Sequence, residues 1–209
     1  MRFVVTAGPT REFIDPVRFL SNPSTGRMGF AVARAAAARG HDVTLVAGPV
    51  SLATPRGVRR IDVTSAREMK RAVDEALAPD PAGSALVATA AVADWRPARR
   101  AARKLKKREM SGVLRLARNP DVLKSARAGV KVGFAAETGD PVAEAARKCR
   151  EKRLDLVVAN DVTEAGAGFG TATNHVVLVR PDGTCEWMPP ATKDAVARRI
   201  VRICEDIRA

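Results

Sequence analysis

Between positions 96 and 108 the chain carries Arg96, Arg99, Arg100, Arg103, Lys104, Lys106, Lys107 and Arg108, with no acid among them. Such a density of fixed positive charge attracts a polyanion. Aromatic residues are only 4% of the chain and tyrosine is absent, so platforms for stacking nucleic-acid bases are scarce. A nucleotide triphosphate or a phosphorylated substrate accounts for the cluster better than nucleic acid does; a solvated loop is the plain alternative. Two glycine-bearing stretches lie upstream, Thr6-Ala7-Gly8-Pro9-Thr10 and Ser24-Thr25-Gly26-Arg27-Met28-Gly29. Gly8, Gly26 and Gly29 can let a phosphate approach the backbone, and a helix N-terminus supplies free N–H groups to it. Close packing explains the same glycines equally well. Between the two stretches lie Arg18, able to bind a phosphate or carboxylate bidentately, and Asn22, able to donate to a developing oxyanion or to serve in a turn.

These residues need a frame, and the apolar pattern supplies one. Phe3–Val5, Val43–Val46, Val58–Val63, Ala85–Ala91, Val130–Ala135 and Leu154–Ala159 read as strands. A helix is expected to follow the second glycine stretch and stop at Gly40. Ser65 and Glu68 form a capping box for a helix with Met69, Val73 and Leu77 on one face. Asn119-Pro120 reads as an N-cap and first helical residue, and Asp140-Pro141 opens a further helix. His175–Val179 and Cys185–Met188 flank Pro181-Asp182-Gly183 as a hairpin. Val196, Ile200, Ile203 and Ile207 mark a last amphipathic helix. Alternating β and α units imply an α/β, Rossmann-like, mostly parallel sheet with helices on both faces, plus a C-terminal β-hairpin and helix. Ligands in such folds sit at the carboxyl ends of strands, here the loops starting at Thr6, Ala88, Phe134 and Ala159.

The chain of 209 residues is expected to form a single domain over 1–209, with a mobile basic flap at about 96–112. The net charge is +13. No apolar run approaches the roughly 20 residues of a membrane helix, and no apolar targeting segment opens the chain, so the default location is the cytoplasm. Three widely spaced cysteines, Cys149, Cys185 and Cys204, suggest neither a disulfide framework nor a zinc site.

The segment VTAGPTREFIDPVRFLSNPSTGRMGFAVA resembles the opening signature of the phosphopantothenate–cysteine ligase (phosphopantothenoylcysteine synthetase) family, bacterial type, which forms the C-terminal half of a bifunctional decarboxylase/synthetase flavoprotein. AAVADWRP (Ala90–Pro97), KLKK (Lys104–Lys107), NPDVL (Asn119–Leu123), GFAAET (Gly133–Thr138), KRLDLVVANDV (Lys152–Val162) and GFGTATN (Gly168–Asn174) follow in the family's order. The resemblance spans essentially the whole chain. It implies a ligase of coenzyme A biosynthesis that activates 4'-phosphopantothenate with CTP, or alternatively ATP, and condenses the acyl-nucleotidylate with L-cysteine. Mg²⁺ is expected with the triphosphate, its protein ligands unknown.

By motif, the resemblance assigns Asn22 to the acyl-nucleotidylate, Arg18 to the substrate end and Lys104 to the triphosphate. Ala88, Thr89, Ala90 and Asp94 are expected to help form the nucleotide pocket. Asn119, Pro120, Asp121, Val122 and Phe134 are expected to line base and ribose, and Lys148 and Lys152 to contact the nucleotide. Trp95 stands where relatives commonly carry tyrosine, and basic residues precede KLKK where many carry Pro and Glu. The family implies a homodimer. The chain begins directly at the first ligase strand, so no flavin is expected in it. It is either free-standing, beside a separate flavin-dependent decarboxylase, or a fragment of a bifunctional protein.

Two other readings compete. An NAD(P)-binding oxidoreductase would share the fold, but G-x-G-x-x-G is absent and the second strand ends Leu45-Val46-Ala47-Gly48-Pro49 without a ribose-binding acid. A basic nucleic-acid-binding module would share the charge and show a steep salt dependence. Neither nucleic acid nor membrane is expected as a partner.

Overall fold

A computed structural model describes residues 1–109, 112–137, 141–161 and 173–208. Strand β1 (Arg2–Ala7) buries Phe3, Val4 and Val5 completely, as an uninterrupted apolar run requires of a strand covered on both faces. The chain then forms a small antiparallel hairpin, β2 (Arg11–Phe13) with β3 (Phe19–Ser21), in the register Arg11↔Ser21, Glu12↔Leu20, Phe13↔Phe19. From its Gly, Pro, Asn and Ser content the stretch to about Thr25 reads as a plain loop; the hairpin corrects that, since strands of three residues are too short to show a period. Helix α1 (Arg27–Ala38) starts behind Gly26, which sits at φ 77°, and ends at Gly40, at φ 80°. β4 (Asp42–Ala47), β5 (Val58–Asp62) and α2 (Ala66–Leu77) follow. The α2 capping box is present: Ser65 Oγ accepts from Glu68 N at 3.3 Å, and Glu68 Oε2 accepts from Thr64 N at 2.7 Å and Ser65 N at 3.3 Å.

β6 (Ser84–Ala88) is shorter than the apolar run, because at Ala88 the chain turns out of the sheet. The basic excursion lies between two antiparallel strands, β7 (Trp95–Pro97) and β8 (Leu116–Arg118). Helix α3 (Val122–Ser125) is capped by Asp121, whose carboxylate accepts from Lys124 N at 2.9 Å. Asn119 is therefore not the N-cap; its amide is used elsewhere, as described below. β9 (Val130–Glu137), α4 (Pro141–Lys152) and β10 (Leu156–Asp161) complete the alternation. Asp140, Thr138, Val162 and residues 168–172 of the sequence motifs lie outside the described residues. Last come β11 (Thr173–Asn174), β12 (Val177–Val179), β13 (Cys185–Trp187), β14 (Ala191–Thr192) and α5 (Lys193–Arg208).

The main sheet has the order β13-β12-β10-β9-β6-β1-β4-β5. From β10 to β5 it is parallel, and the β12–β13 hairpin extends it antiparallel at one edge. One core cluster packs α1 and α5 on one face, including Phe30, Val32, Ile200 and Ile203. The other packs α2, α3 and α4 on the opposite face, around Met69, Leu123 and Cys149. The order reverses between β1 and β6: β4 and β5 lie to one side, β9 and β10 to the other. A crevice forms at such a reversal because the loops leaving the two central strands turn in opposite directions.

Among the described residues no helix is long and apolar enough to cross a membrane. Ser65→Ala should cost about 1 kcal/mol, read as a lower urea midpoint at unchanged slope; an unmoved midpoint would show the cap to be idle. Burial, with Asp155 nearby, pushes the Cys149 thiol up to about 11; burial, with Asp155 and Glu205 nearby, pushes Cys204 up to about 12. Cys185 is exposed. Iodoacetamide on the native protein should alkylate Cys185 alone, and rapid labelling at Cys149 or Cys204 by mass spectrometry would contradict the packing described.

Candidate functional site

The reversal point is sewn together by backbone and threonine hydroxyls. Thr89 Oγ1 donates to Thr6 O at 2.7 Å, Ala90 N to Thr6 Oγ1 at 3.2 Å, Ala91 N to Gly8 O at 2.9 Å and Ala93 N to Thr10 Oγ1 at 3.0 Å. Helix α1 closes on this seam at Gly29. A Cβ there would stand 2.5 Å from Ala7 Cβ and from Thr89 Oγ1, and 2.9 Å from Thr6 O. Gly8 and Gly26 are both left-handed and touch: a Cβ on Gly26 would lie 3.3 Å from Gly8 N. The close approach these glycines allow is thus between α1 and the strand ends. Gly8, Gly26, Gly29 and Thr89 lie outside the crevice lining.

The crevice beside the seam has a volume of about 540 Å³, within the range of small-molecule sites. Thr6, Ala88 and Ala90 form its floor, Asn119 to Leu123 one wall, and Phe134 of β9 another. Lys148 and Lys152 reach it from one face of α4. Lys148 Nζ donates to Phe134 O at 2.5 Å. Lys152 Nζ pairs with Asp121 Oδ2 at 2.8 Å. Partial burial would raise the Asp121 carboxyl, but Lys152 and the Lys124 N–H more than offset it and hold it below its ordinary value. Asn119 is part of the wall: its Nδ2 donates to Ala93 O at 2.8 Å, its Oδ1 accepts from Arg96 at 3.3 Å, and its N–H donates to Asp94 O at 2.8 Å. Asp94 lies on the rim.

Sequence reasoning passed over part of this rim. Arg118 places its guanidinium 5.1 Å from the Trp95 ring centroid, and both residues line the crevice. Arg118 directly precedes the NPDVL stretch, and that adjacency was the available signal. The rim therefore sets Arg118, Lys148 and Lys152 against Asp94 and Asp121, a mixed edge around an apolar and backbone interior.

Asn22 stands at the end of the β2–β3 hairpin, exposed, with Nδ2 donating to Ala91 O at 3.2 Å. It is outside the lining but bonded to a residue of it. Lys104 is exposed and also outside the lining. Arg18, expected at the substrate end, is engaged within the chain. Its Nε and Nη2 bind Asp15 Oδ2 at 3.0 and 2.5 Å, and Nη2 also donates to Leu105 O at 3.0 Å. The carboxylate it holds, through two donors on one oxygen, belongs to the chain itself. Sequence reasoning missed Asp15, which is fully buried.

Among the described residues no group of three or more His, Cys, Asp or Glu side chains could hold a metal ion. The donors among the described residues do not fit a resident ion caged by protein. It is compatible with Mg²⁺ held largely by triphosphate oxygens and water, an arrangement needing only one or two carboxylates.

Residues 1–207 match the model of the DNA/pantothenate metabolism flavoprotein C-terminal domain. The coenzyme A biosynthesis bifunctional protein CoaBC of Vibrio vulnificus strain YJ016 is 45% identical over 206 residues, covering 95% of this chain and 50% of its own length. CoaBC of Bacillus subtilis is 45% identical over 204 residues, again 95% of this chain and 50% of its own. The crystal structure of the C-terminal domain of a CoaBC superposes with a TM-score of 0.79 at 37% identity, covering 99% of this chain and 95% of that one. The chain spans about half the length of the curated relatives it matches. With a family match from end to end and close relatives agreeing on it, the chain belongs to the family of the DNA/pantothenate metabolism flavoprotein C-terminal domain.

Proposed function

We propose that this chain is a ligase of coenzyme A biosynthesis that joins 4'-phosphopantothenate to L-cysteine at the expense of CTP. The observation that carries the reading is the crevice at the reversal of strand order. There, the residues of four separate sequence motifs (Ala90–Asp94, Asn119–Leu123, Phe134 and Lys152) meet in one cavity, and Asn22 of the opening motif is bonded to its edge. Membership of the family supplies the reaction.

A carboxylate is a poor electrophile until its oxygen becomes part of a leaving group. The pantothenate carboxylate attacks the α-phosphorus of CTP, forming the acyl–phosphate bond as pyrophosphate departs. The amine of cysteine then attacks the acyl carbon, the amide forms, a proton is lost from nitrogen, and CMP leaves. The crevice receives base and ribose between Phe134 and the Asn119–Val122 wall. Lys148 and Lys152 lie beside the nucleotide, and Lys104 meets the triphosphate from the basic excursion. Asp94, the exposed carboxylate on the rim, would be the residue to hold Mg²⁺, which would supply neutralisation of phosphate charge during pyrophosphate departure. Asn22 donates its amide to the oxyanion that develops on the acyl carbon.

CTP is preferred to ATP because the relatives named above are bacterial, like the motifs; ATP is the second reading. A homodimer is supported by the large apolar side chains left exposed around the hairpin and the β7–β8 excursion, among them Val17, Phe19, Val113 and Leu116. The product passes to a flavin-dependent decarboxylase, fused or separate, as the bifunctional relatives suggest; no flavin is needed by the crevice itself.

With phosphopantothenate and CTP the protein should release pyrophosphate, and ATP should serve less well; no release with either nucleotide, with or without cysteine, would refute the ligase reading. Asn22→Ala should slow overall turnover about a hundredfold while acyl-cytidylate accumulates, detectable by mass spectrometry of quenched reactions. Normal turnover would remove Asn22 from its role. Lys104→Ala should raise the KM for CTP about tenfold, the loss of one charged contact; an unchanged KM and rate would show Lys104 to be idle.

A further inference from the structure

Asp15 is a fully buried carboxylate in a chain rich in exposed charge, and no step above uses it. Its environment is completely organised. Oδ1 accepts from Val17 N at 2.9 Å and Arg18 N at 2.8 Å. Oδ2 accepts from Arg18 Nε at 3.0 Å and Nη2 at 2.5 Å, and from Leu105 N at 3.2 Å. Arg18 Nη2 reaches past the carboxylate to Leu105 O at 3.0 Å. Leu105 thus has both its backbone groups taken by one ion pair, 90 residues away along the chain. A second tie lies beside it, Ala101 N donating to Ile14 O at 2.9 Å. Lys104 immediately precedes Leu105, and Asn22 ends the same hairpin that Asp15 and Arg18 turn.

We propose that Asp15 is a positioning residue that, with Arg18, clamps the backbone at Leu105 and so fixes Lys104 relative to Asn22, making the triphosphate and acyl ends of the site one unit. The inference rests on the roles proposed above for Lys104 and Asn22. A charge that accepts five hydrogen bonds costs little to keep buried, whereas removing it strands Arg18 and frees the Leu105 N–H. The Arg18 guanidinium, helped by the N–H groups of Val17, Arg18 and Leu105 and opposed by burial, holds the Asp15 carboxyl well below the usual carboxylate range. Its stabilisation is therefore present above the unfolded carboxylate pKa of about 4 and is lost only as pH falls below that. The clamp stays shut throughout the neutral range.

The test uses Asp15→Asn, which keeps the shape and an acceptor oxygen but loses the charge. Hydrogen–deuterium exchange on the unliganded protein should show the peptide around 101–107 exchanging at least tenfold faster than in the wild type, with β1 and β6 unchanged. Unaltered exchange there overturns the clamp whether or not the protein is a ligase. In pyrophosphate release the KM for CTP should rise with kcat nearly kept, and Asp15→Asn combined with Lys104→Ala should be no worse in KM than Lys104→Ala alone. Multiplying effects would mean that Asp15 does not act through Lys104. Should Asp15→Asn fail to fold, Leu105→Pro, with Leu105→Ala as the control for the lost side chain, removes the clamped N–H. It should reproduce the rise in KM and the faster exchange of the Lys104 and Lys106 amides, and failure to do so overturns the proposal equally. A wild-type protein that releases no pyrophosphate refutes the ligase reading and leaves the exchange experiment to decide the clamp.

Discussion

Everything at the candidate site hangs on the contact between the carboxyl ends of β1 and β6. Parallel strands end with their carbonyls and N–H groups pointing into the space where the chain leaves the sheet, and buried backbone groups must be paired. Here the pairing is done by three threonines and the chain itself. Thr6 accepts through its carbonyl from Thr89 and through its hydroxyl from Ala90, and Thr10 accepts from Ala93. The strand ends are thereby carried outward beyond the sheet as a continuous seam, with Pro9 bridged to Ala91. That extension turns the Ala90–Asp94 segment across the crevice floor and gives Asn22 its acceptor at Ala91. Gly29 is the condition for it, since any side chain there would meet Ala7, Thr89 and Thr6 and lift α1 off the seam.

The large positive charge has several distinct uses. Arg39 pairs with Glu205, Arg199 with Glu186 and Arg147 with Glu144 and Glu151, contacts at or near the surface that are worth little individually. Arg18 serves a buried carboxylate. Arg100 and Arg11 lie over Phe13 and Phe19, so part of the basic charge covers aromatic surface on the hairpin. The candidate site draws on few of these charges: Arg118, Lys148 and Lys152 line the crevice, Lys152 already paired with Asp121, and Lys104 is exposed on the basic excursion.

The parts of this architecture that could be read from sequence are those dictated locally. Phe3–Val5 reads as a strand, Ser65 and Glu68 as a cap and Gly40 as a helix end, because neighbouring residues alone decide each. The hairpin at Arg11–Ser21 escaped because its strands are three residues long and its stability comes from outside: Arg11 N donates to Thr64 O at 2.7 Å and Glu12 Oε1 accepts from Ala66 N at 2.9 Å. Asn119-Pro120 had the composition of a helix start. Asp121 takes that place because the Asn119 amide is consumed by Ala93 and Arg96, contacts more than 20 residues away. Asp15 was hidden for the same reason. An aspartate before proline reads as a turn residue, and nothing near it in sequence announces Leu105. For the glycines the pattern disclosed close approach but not what approaches.

The size of the crevice constrains how the proposed reaction is arranged. About 540 Å³ suits a nucleoside with its first phosphate, and hardly a pantothenate chain as well. On the proposed reading the acyl end must therefore extend from the crevice toward the hairpin that carries Asn22, while the departing pyrophosphate extends toward the basic excursion. These two surfaces are far apart in sequence and are exposed, so a rigid crevice alone would leave their separation free to vary. Misplacement by an ångström is enough to cost most of the benefit of orientation. The excursion is held at its base to the crevice wall, Asn119 N to Asp94 O, and along its length to the hairpin at Ile14 and Asp15. Three surfaces from distant parts of the chain are thus referred to one seam, which is what the proposed transfer of a nucleotidyl group between two substrates requires.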